Sequence, residues 1–289
     1  MTETKHKTPP FDTEAAEPPE PGQTCLWRSP HTGTCHDRAI LQFSGGKDSL
    51  AVLYLARPWL DKIEVHFANP GAWLPDTVDL VERTCEKLGV DLKLISPPMP
   101  IDQFHELRGL PLDVVPEWYG AEMARFLEEP RETLIQTSLN CCLEMVLKPL
   151  HHAVMRSDIR LLLRGTKRCD ERVGIGPGTV DGDGIEYAFP IWEWSDDDVL
   201  EYLKGEGAEI PRQYLNGAND GIDCWFCTGH LRTDYAADRM RYLAKTYPEF
   251  MPEIRRRAEM LKRILTDETE RTVSILDMAL EVPRDRKAS

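Results

Sequence analysis

Residues 43–49 read Phe43-Ser44-Gly45-Gly46-Lys47-Asp48-Ser49 and lie between a short apolar run, Ala39–Phe43, and an amphipathic helical stretch, Lys47–Ala56. Two adjacent glycines let a backbone turn sharply and bring its N–H groups against an anion, while a helix N-terminus adds positive potential. Lys47 supplies a mobile positive charge, and Ser44 and Ser49 supply hydroxyls. By composition and placement this is a phosphate cradle. It is not a Walker A loop: Leu41 stands where that pattern needs glycine, and Asp48 where it needs Ser or Thr. The dinucleotide fingerprint also fails, since no third glycine follows at the right offset. Gly174-Ile175-Gly176-Pro177-Gly178 is glycine-rich too, but no helix follows, and it reads as a plain loop.

The second chemical constellation is made of sulfur. Eight cysteines stand at positions 25, 35, 85, 141, 142, 169, 224 and 227. The N-terminus has no apolar centre of the kind a secretory signal carries, so a reducing compartment is expected and disulfides are not. The pair Cys141-Cys142 and the turn Cys224-Trp225-Phe226-Cys227 then call for another explanation. A C-x-x-C turn aims two thiolates at one centre, as iron–sulfur clusters and zinc both require. Two other readings stay open. Cys141 or Cys142 could be a small buried hydrophobe, and Cys224 and Cys227 could share a zinc ion with Cys25, Cys35, His31 or His36. Cys85 and Cys169 read as structural.

The third is a basic strip, Arg164-Gly165-Thr166-Lys167-Arg168 and then Asp170-Glu171-Arg172, following a predicted strand, Ile159–Leu163. Ligands of open α/β sheets bind beyond the carboxyl ends of strands, so the strip is expected to face the glycine loop. Arg164, Lys167 and Arg168 there can hold phosphate or sulfate. His151-His152 reads as a surface feature, and Trp192 and Trp194 as packing.

The elements that position these groups alternate. Strands are predicted at Ala39–Phe43, Ile63–Ala68, Asp91–Ile95, Ile159–Leu163 and Glu186–Phe189. Helices are predicted at Lys47–Ala56, Thr77–Leu88 (stopped by Gly89), Cys142–Met155 and, capped by Ser195 ahead of Asp196-Asp197-Asp198, to about Lys204. Strands alternating with helices imply an α/β fold: a doubly wound, mostly parallel sheet covered on both faces. Beyond Cys227 the chain turns largely helical and becomes locally basic at Arg255-Arg256-Arg257. The expected organisation is a disordered Pro- and Glu-rich tail, 1–24, a nucleotide-binding α/β domain, 25–230, and a C-terminal helical extension, 231–289. The 289 residues suffice for a sizeable core, with 41% hydrophobic residues. No stretch approaches the roughly 18 to 20 apolar residues of a membrane helix, so a cytoplasmic, membrane-free protein is expected. Lys and Arg number 35 against 49 Asp and Glu, a net charge of −14, which disfavours a large nucleic-acid substrate.

The hexapeptide Ser44–Ser49 resembles the PP-loop of the adenine nucleotide alpha hydrolases, or ATP pyrophosphatases. With Leu41-Gln42-Phe43 before it and Leu53–Arg57 after, it is closest to the branch holding the sulfate adenylyltransferase small subunit and the phosphoadenosine phosphosulfate (PAPS) reductases. Asn140-Cys141-Cys142-Leu143-Glu144 through Leu150 resembles the Cys-Cys segment of adenylyl sulfate reductases, as does the later Cys-x-x-Cys-Thr ending at Thr228. Phe189-Pro190-Ile191-Trp192 resembles the family's Pro-Leu-x-x-Trp segment, and Asn69-Pro70-Gly71 stands where the family touches adenosine. Arg164–Arg172 is similar to its Gly-x-Arg-x-Asp-Glu region, with Cys169 interrupting the spacing.

The resemblance spans about residues 38 to 230. It implies ATP or an adenylyl sulfate on Ser44, Gly45, Gly46, Lys47, Asp48 and Ser49, with Arg164, Lys167 and Arg168 around it. It also implies Mg²⁺ placed with help from Asp48, and a [4Fe-4S] cluster on Cys141, Cys142, Cys224 and Cys227. Lys47, Asp48 and Arg168 carry the expected catalytic roles. The reductases end in a tail whose cysteine attacks sulfur; no cysteine follows Cys227 here. The expected activity is therefore pyrophosphatase-type adenylylation of a substrate coupled to sulfur transfer. Two alternatives are sulfonucleotide reduction with a thiol in trans and a non-catalytic nucleotide-binding module with structural zinc. Expected partners are an adenine nucleotide, a sulfur donor or thioredoxin-like protein, and further copies of the chain in a homo-oligomer.

Overall fold

The structure, a computed structural model, describes residues 25–112, 135–170, 175–218 and 221–281. The expected tail, 1–24, and Glu171, Arg172 and Gly174 lie outside the described residues. By internal contacts the chain divides into two compact units, 1–100 with 142–224 and 101–141 with 225–289.

The first unit is built on a parallel sheet in the order β5-β4-β3-β8-β9. Its strands are β3 (Ala39–Gln42), β4 (Ile63–Ala68), β5 (Leu92–Ile95), β8 (Leu161–Leu163) and β9 (Glu186–Ala188). All four pairings are parallel, with Ile40 opposite both Glu64 and Leu162. β3 and β8 are largely apolar along their length because both faces are covered. Alternation then sorts their side chains. Leu41 and Val65 join the larger core with Leu50, Leu53, Val81, Val199 and Leu203, from the helices Lys47–Leu55, Pro75–Leu88 and Asp196–Gly205. Ile40 and Leu162 face the other way, onto Val154 of the helix Lys148–Met155. The helix Pro75–Leu88 stops where the sequence says it should: Gly89 takes φ +66°, and Val90 donates its N–H to the Cys85 carbonyl.

A two-stranded antiparallel hairpin, β1 (Trp27–Arg28) and β2 (Cys35–His36), precedes the sheet. It corrects two expectations. Cys25 and Cys35 form a disulfide, because the hairpin register brings their Cα atoms to 5.5 Å, within bridging range. Neither thiol is then available to the zinc site considered above. Its histidines are also engaged elsewhere, His36 Nε2 on the buried Glu186 carboxylate at 2.9 Å and His31 Nε2 on the Pro177 carbonyl at 3.1 Å. Trp27 Nε1 also donates to Glu186, at 3.3 Å, so one buried carboxylate in β9 anchors the hairpin.

The second unit opens with the helix Ile101–Arg108 and the parallel pair β6 (Leu110–Pro111) and β7 (Ile135–Gln136). The helices Ala236–Thr246 and Met251–Glu281 complete it, the latter contributing Leu261 to a small core with Leu110 and Leu112. Rings of Trp225, Phe250 and Tyr247 stack in series. The C-terminal stretch is largely helical, as expected, with a break at Tyr247 ahead of Pro248. Among the described residues, no helix is long and apolar enough to cross a membrane.

Candidate nucleotide site and cysteine groups

The loop Ser44–Ser49 turns where β3 gives way to the helix starting at Lys47. Gly45 sits at φ +78°, in the left-handed region, and a Cβ there would meet Thr77 Cγ2 at 2.8 Å and Val81 Cγ2 at 2.9 Å. Conformation and space both demand glycine. The hydroxyls tie the turn together. Ser44 N–H donates to Ser49 Oγ at 3.3 Å, and Ser49 Oγ donates to the Gly46 carbonyl at 3.1 Å. From the neighbouring strand end, Gly165 packs directly on the loop: a Cβ at 165 would stand 2.5 Å from Ser49 N and 2.6 Å from the Asp48 carbonyl carbon.

Two buried lysines converge beside this turn. Lys47 Nζ lies 3.0 Å from Asp48 Oδ2 and 2.7 Å from Asp196 Oδ1. Lys167 Nζ lies 2.9 Å from Asp48 Oδ1, 2.8 Å from Asp170 Oδ2 and 2.9 Å from Asp196 Oδ1. Burial works against the Lys167 charge, but hydrogen bonds to Asp170, Asp196 and Asp48 outweigh it and raise the ammonium's pKa. Asp196 mirrors this: burial opposes its charge, and the hydrogen bonds from Lys47 and Lys167 override that and lower its pKa. Lys167 therefore stays cationic. The Lys47 ammonium also stands 5.4 Å from the Tyr214 ring centroid.

Asp196 is the residue that sequence reading missed. Ser195-Asp196-Asp197-Asp198 reads as a helix start, and Ser195 and Asp198 do form a capping box. One cap needs one acid at its third position, so the surplus carboxylates at 196 and 197 were the available signal.

The turn borders a cavity of about 410 Å³ lined by Ser44, Gly46, Asp48 and Ser49, by Arg164, Gly165 and Thr166, and by Gln42, His66, Trp73, Leu147, Leu150 and Tyr214 among others. The basic strip thus faces the glycine loop through Arg164. Lys167 reaches the site through Asp48, whereas Arg168 is exposed, pairs with Glu193 and is not among the cavity's lining residues. Val146 and Leu147, also in the lining, sit in a π-helical turn, Leu143–Leu147, between the α-helical Ser138–Cys142 and Lys148–Met155. Such widened turns recur at functional sites. Asn69-Pro70-Gly71 forms a turn closed by Gly71 N–H on Asn69 Oδ1 at 2.8 Å.

The thiols of Cys141, Cys142, Cys224 and Cys227 are free of disulfides. Cys141 is buried, and its Sγ lies 3.3 Å from His105 Nε2. Cys227 packs beside Gly229, where a Cβ would stand 3.5 Å from the Cys227 sulfur and 2.8 Å from Ser138 Cβ. Among the described residues, no group of three or more His, Cys, Asp or Glu that could hold a metal ion is found. In donor chemistry the quartet suits an iron–sulfur cluster, offering four soft thiolate ligands. Burial pushes the Cys85 thiol up to about 11, in keeping with an inert structural role.

Two histidines have depressed pKa values. Burial lowers the pKa of His66, and burial together with the Arg257 charge takes that of His105 to about 4. The unfolded chain binds these protons near the usual histidine value of about 6.5 and the folded protein only at lower pH, so stability falls as pH drops below that value. For His105 the expected loss between pH 7 and 5 is about 2 kcal/mol. Urea unfolding midpoints across that range measure it, and a flat profile would contradict the burial of neutral rings.

A family model described as the phosphoadenosine phosphosulfate reductase domain matches residues 38–230. The chain belongs to that family. It is a PP-loop protein of the adenine nucleotide alpha hydrolase group; the family is one of enzymes. This PAPS reductase-family chain is similar in structure to phosphoadenylyl-sulfate (PAPS) reductase from Candida auris, with 15% identity over 64% of this chain and 81% of that one and a TM-score of 0.46. It is also similar to the U34-tRNA thiolase NcsA from Methanococcus maripaludis, described with its [4Fe-4S] cluster. There the identity is 15%, over 81% of this chain and 76% of that one, at a TM-score of 0.45. No curated protein matches it.

Proposed function

We propose that this PAPS reductase-family protein binds ATP on the Ser44–Ser49 loop and adenylylates a substrate, the activated product then accepting sulfur. The observation that supports this best is the pair of buried lysines, Lys47 and Lys167, shared over Asp48 and Asp196 beside the glycine turn. Backbone N–H groups of the turn and the helix N-terminus bind the phosphates. A substrate oxygen attacks the α phosphorus; the bond from that phosphorus to the bridging oxygen breaks, and pyrophosphate leaves with the electron pair. Lys47, Lys167 and Arg164 stabilise the charge that develops on the phosphoryl oxygens, the main contribution in such transfers. Asp48 and Asp196 present the hard carboxylate oxygens that suit Mg²⁺, which supplies further positive charge on the phosphates when bound. Cys141, Cys142, Cys224 and Cys227 are the thiolates that would hold a [4Fe-4S] cluster, which supplies the sulfur chemistry. Attack of a sulfur nucleophile on the adenylylated centre releases AMP.

The test is anaerobic incubation with ATP, Mg²⁺ and candidate acceptors, following pyrophosphate and AMP. Acceptor-dependent release of both supports the proposal. Sulfite release from PAPS with added thioredoxin, and none of pyrophosphate from ATP, would assign sulfonucleotide reduction instead. Neither activity would leave a nucleotide-binding module. The cluster assignment has its own readout: protein purified without oxygen is expected to be brown with about four irons per chain, and Cys224→Ser to lose most of that iron. Colourless wild-type protein holding one zinc would remove the cluster.

A further inference from the structure

Resting on the assignment of Cys141 as a cluster ligand, we infer that His105, oriented by Arg257, is a positioning residue that donates its Nε2 proton to the Cys141 sulfur. The proton's location follows from the partners. Arg257 Nη1 stands 2.8 Å from His105 Nδ1. A guanidinium only donates, so Nδ1 accepts and carries no proton. The ring is then the Nε2–H tautomer, and its donor lies 3.3 Å from Cys141 Sγ. The opposite arrangement, a thiol donating to the ring, would leave both nitrogens as acceptors on an imidazole that has one proton to place.

Arg257 is itself held on several sides. Its Nη2 donates to Asp102 Oδ1 at 2.5 Å and its Nε to Glu253 Oε1 at 2.7 Å, and its guanidinium lies 3.8 Å from the Phe226 ring centroid. Phe226 meets His105 edge-on at 6.1 Å. Cys141, His105 and Arg257 are each at least nine-tenths buried, at 7%, 7% and 3% exposure. A hydrogen bond so shielded is strong, and a cation behind the imidazole strengthens its N–H as a donor. A sulfur that merely fills a core has no use for such a donor; a sulfur that carries negative charge does. Hydrogen bonds to ligand sulfurs stabilise the more negative, reduced state of a cluster and so raise its reduction potential.

The decisive measurement is the reduction potential of the full chain, reconstituted anaerobically with ferrous iron and sulfide and titrated against mediator dyes. His105→Phe, which preserves ring volume, is expected to keep wild-type iron content while its potential moves to more negative values. His105→Gln, which restores an N–H donor, is expected to recover most of the difference. Equal potentials in wild type and His105→Phe would overturn the inference. Should the phenylalanine variant fail to fold, ¹⁵N-histidine spectra of the metal-free wild-type protein decide: His105 must be the Nε2–H tautomer, and Cys141→Ala must shift its Nε2 proton resonance. An Nδ1–H tautomer, or no response to Cys141→Ala, overturns the inference. A wild type that takes up no iron defeats only the cluster assignment, and the same spectra then judge the hydrogen bond.

Discussion

Alanine at position 165 is expected to abolish ATP binding and to lower the midpoint of thermal unfolding by several degrees. The added Cβ would lie 2.5 Å from Ser49 N and 2.6 Å from the Asp48 carbonyl carbon. Both are backbone atoms of the first helical turn, and no rotamer change can clear them. Either the end of β8 or the glycine turn must move, at an overpacking cost of about 3 kcal/mol. Gly176→Ala is the control: a Cβ there meets nothing within 4 Å, and it is expected to stay within about 0.5 kcal/mol of wild type. Differential scanning calorimetry and equilibrium dialysis with ATP measure both effects. Wild-type affinity in Gly165→Ala would mean that the turn does not hold the nucleotide.

Lys167→Met is expected to lower acceptor-dependent pyrophosphate release by about 10²- to 10³-fold, the range seen when one preorganised donor to a transition-state oxygen is removed. Lys167 bridges Asp48, Asp170 and Asp196. Without its ammonium, three carboxylates face one another with Lys47 alone between Asp48 and Asp196. Asp196 loses one of the two ammonium partners that lower its pKa, so the acid limb of the pH–rate profile is expected to move to higher pH. A purely structural lysine would lower the amount of folded protein and leave that limb in place. Lys47→Ala is expected to behave similarly, with a larger effect on the Michaelis constant, because Lys47 adjoins the glycine turn itself.

Much of this site could be read from neighbouring residues. The run Ala39–Phe43, the two glycines and the helix after them are contiguous, and their geometry follows from local rules: an apolar strand, a turn that only glycine can make, and a helix N-terminus. The parallel sheet was legible for a related reason. β3 and β8 are apolar on both faces, as a sheet covered by helices on both sides requires. The short pairs β1–β2 and β6–β7 were not legible, because two-residue strands carry no periodicity. In sequence the run Arg255–Arg257 shows only as a local concentration of basic charge. Yet Arg257 is 3% exposed and bound to His105, Asp102 and Glu253. A charge pattern cannot reveal burial when the partners come from a helix some 150 positions away.

The chain alone therefore determined its family, its α/β class and the glycine turn, since each is written in contiguous residues with one physical solution. Tertiary structure decided how the charges and sulfurs are used. It joined Cys25 to Cys35 across a hairpin, placed Asp196 on Lys47 from 149 positions away, set Arg168 on Glu193 rather than in the cavity lining, and put an imidazole against Cys141. Ion pairs and hydrogen bonds of that kind depend on which groups lose water together, and desolvation is a property of the folded surface, not of any local stretch of sequence.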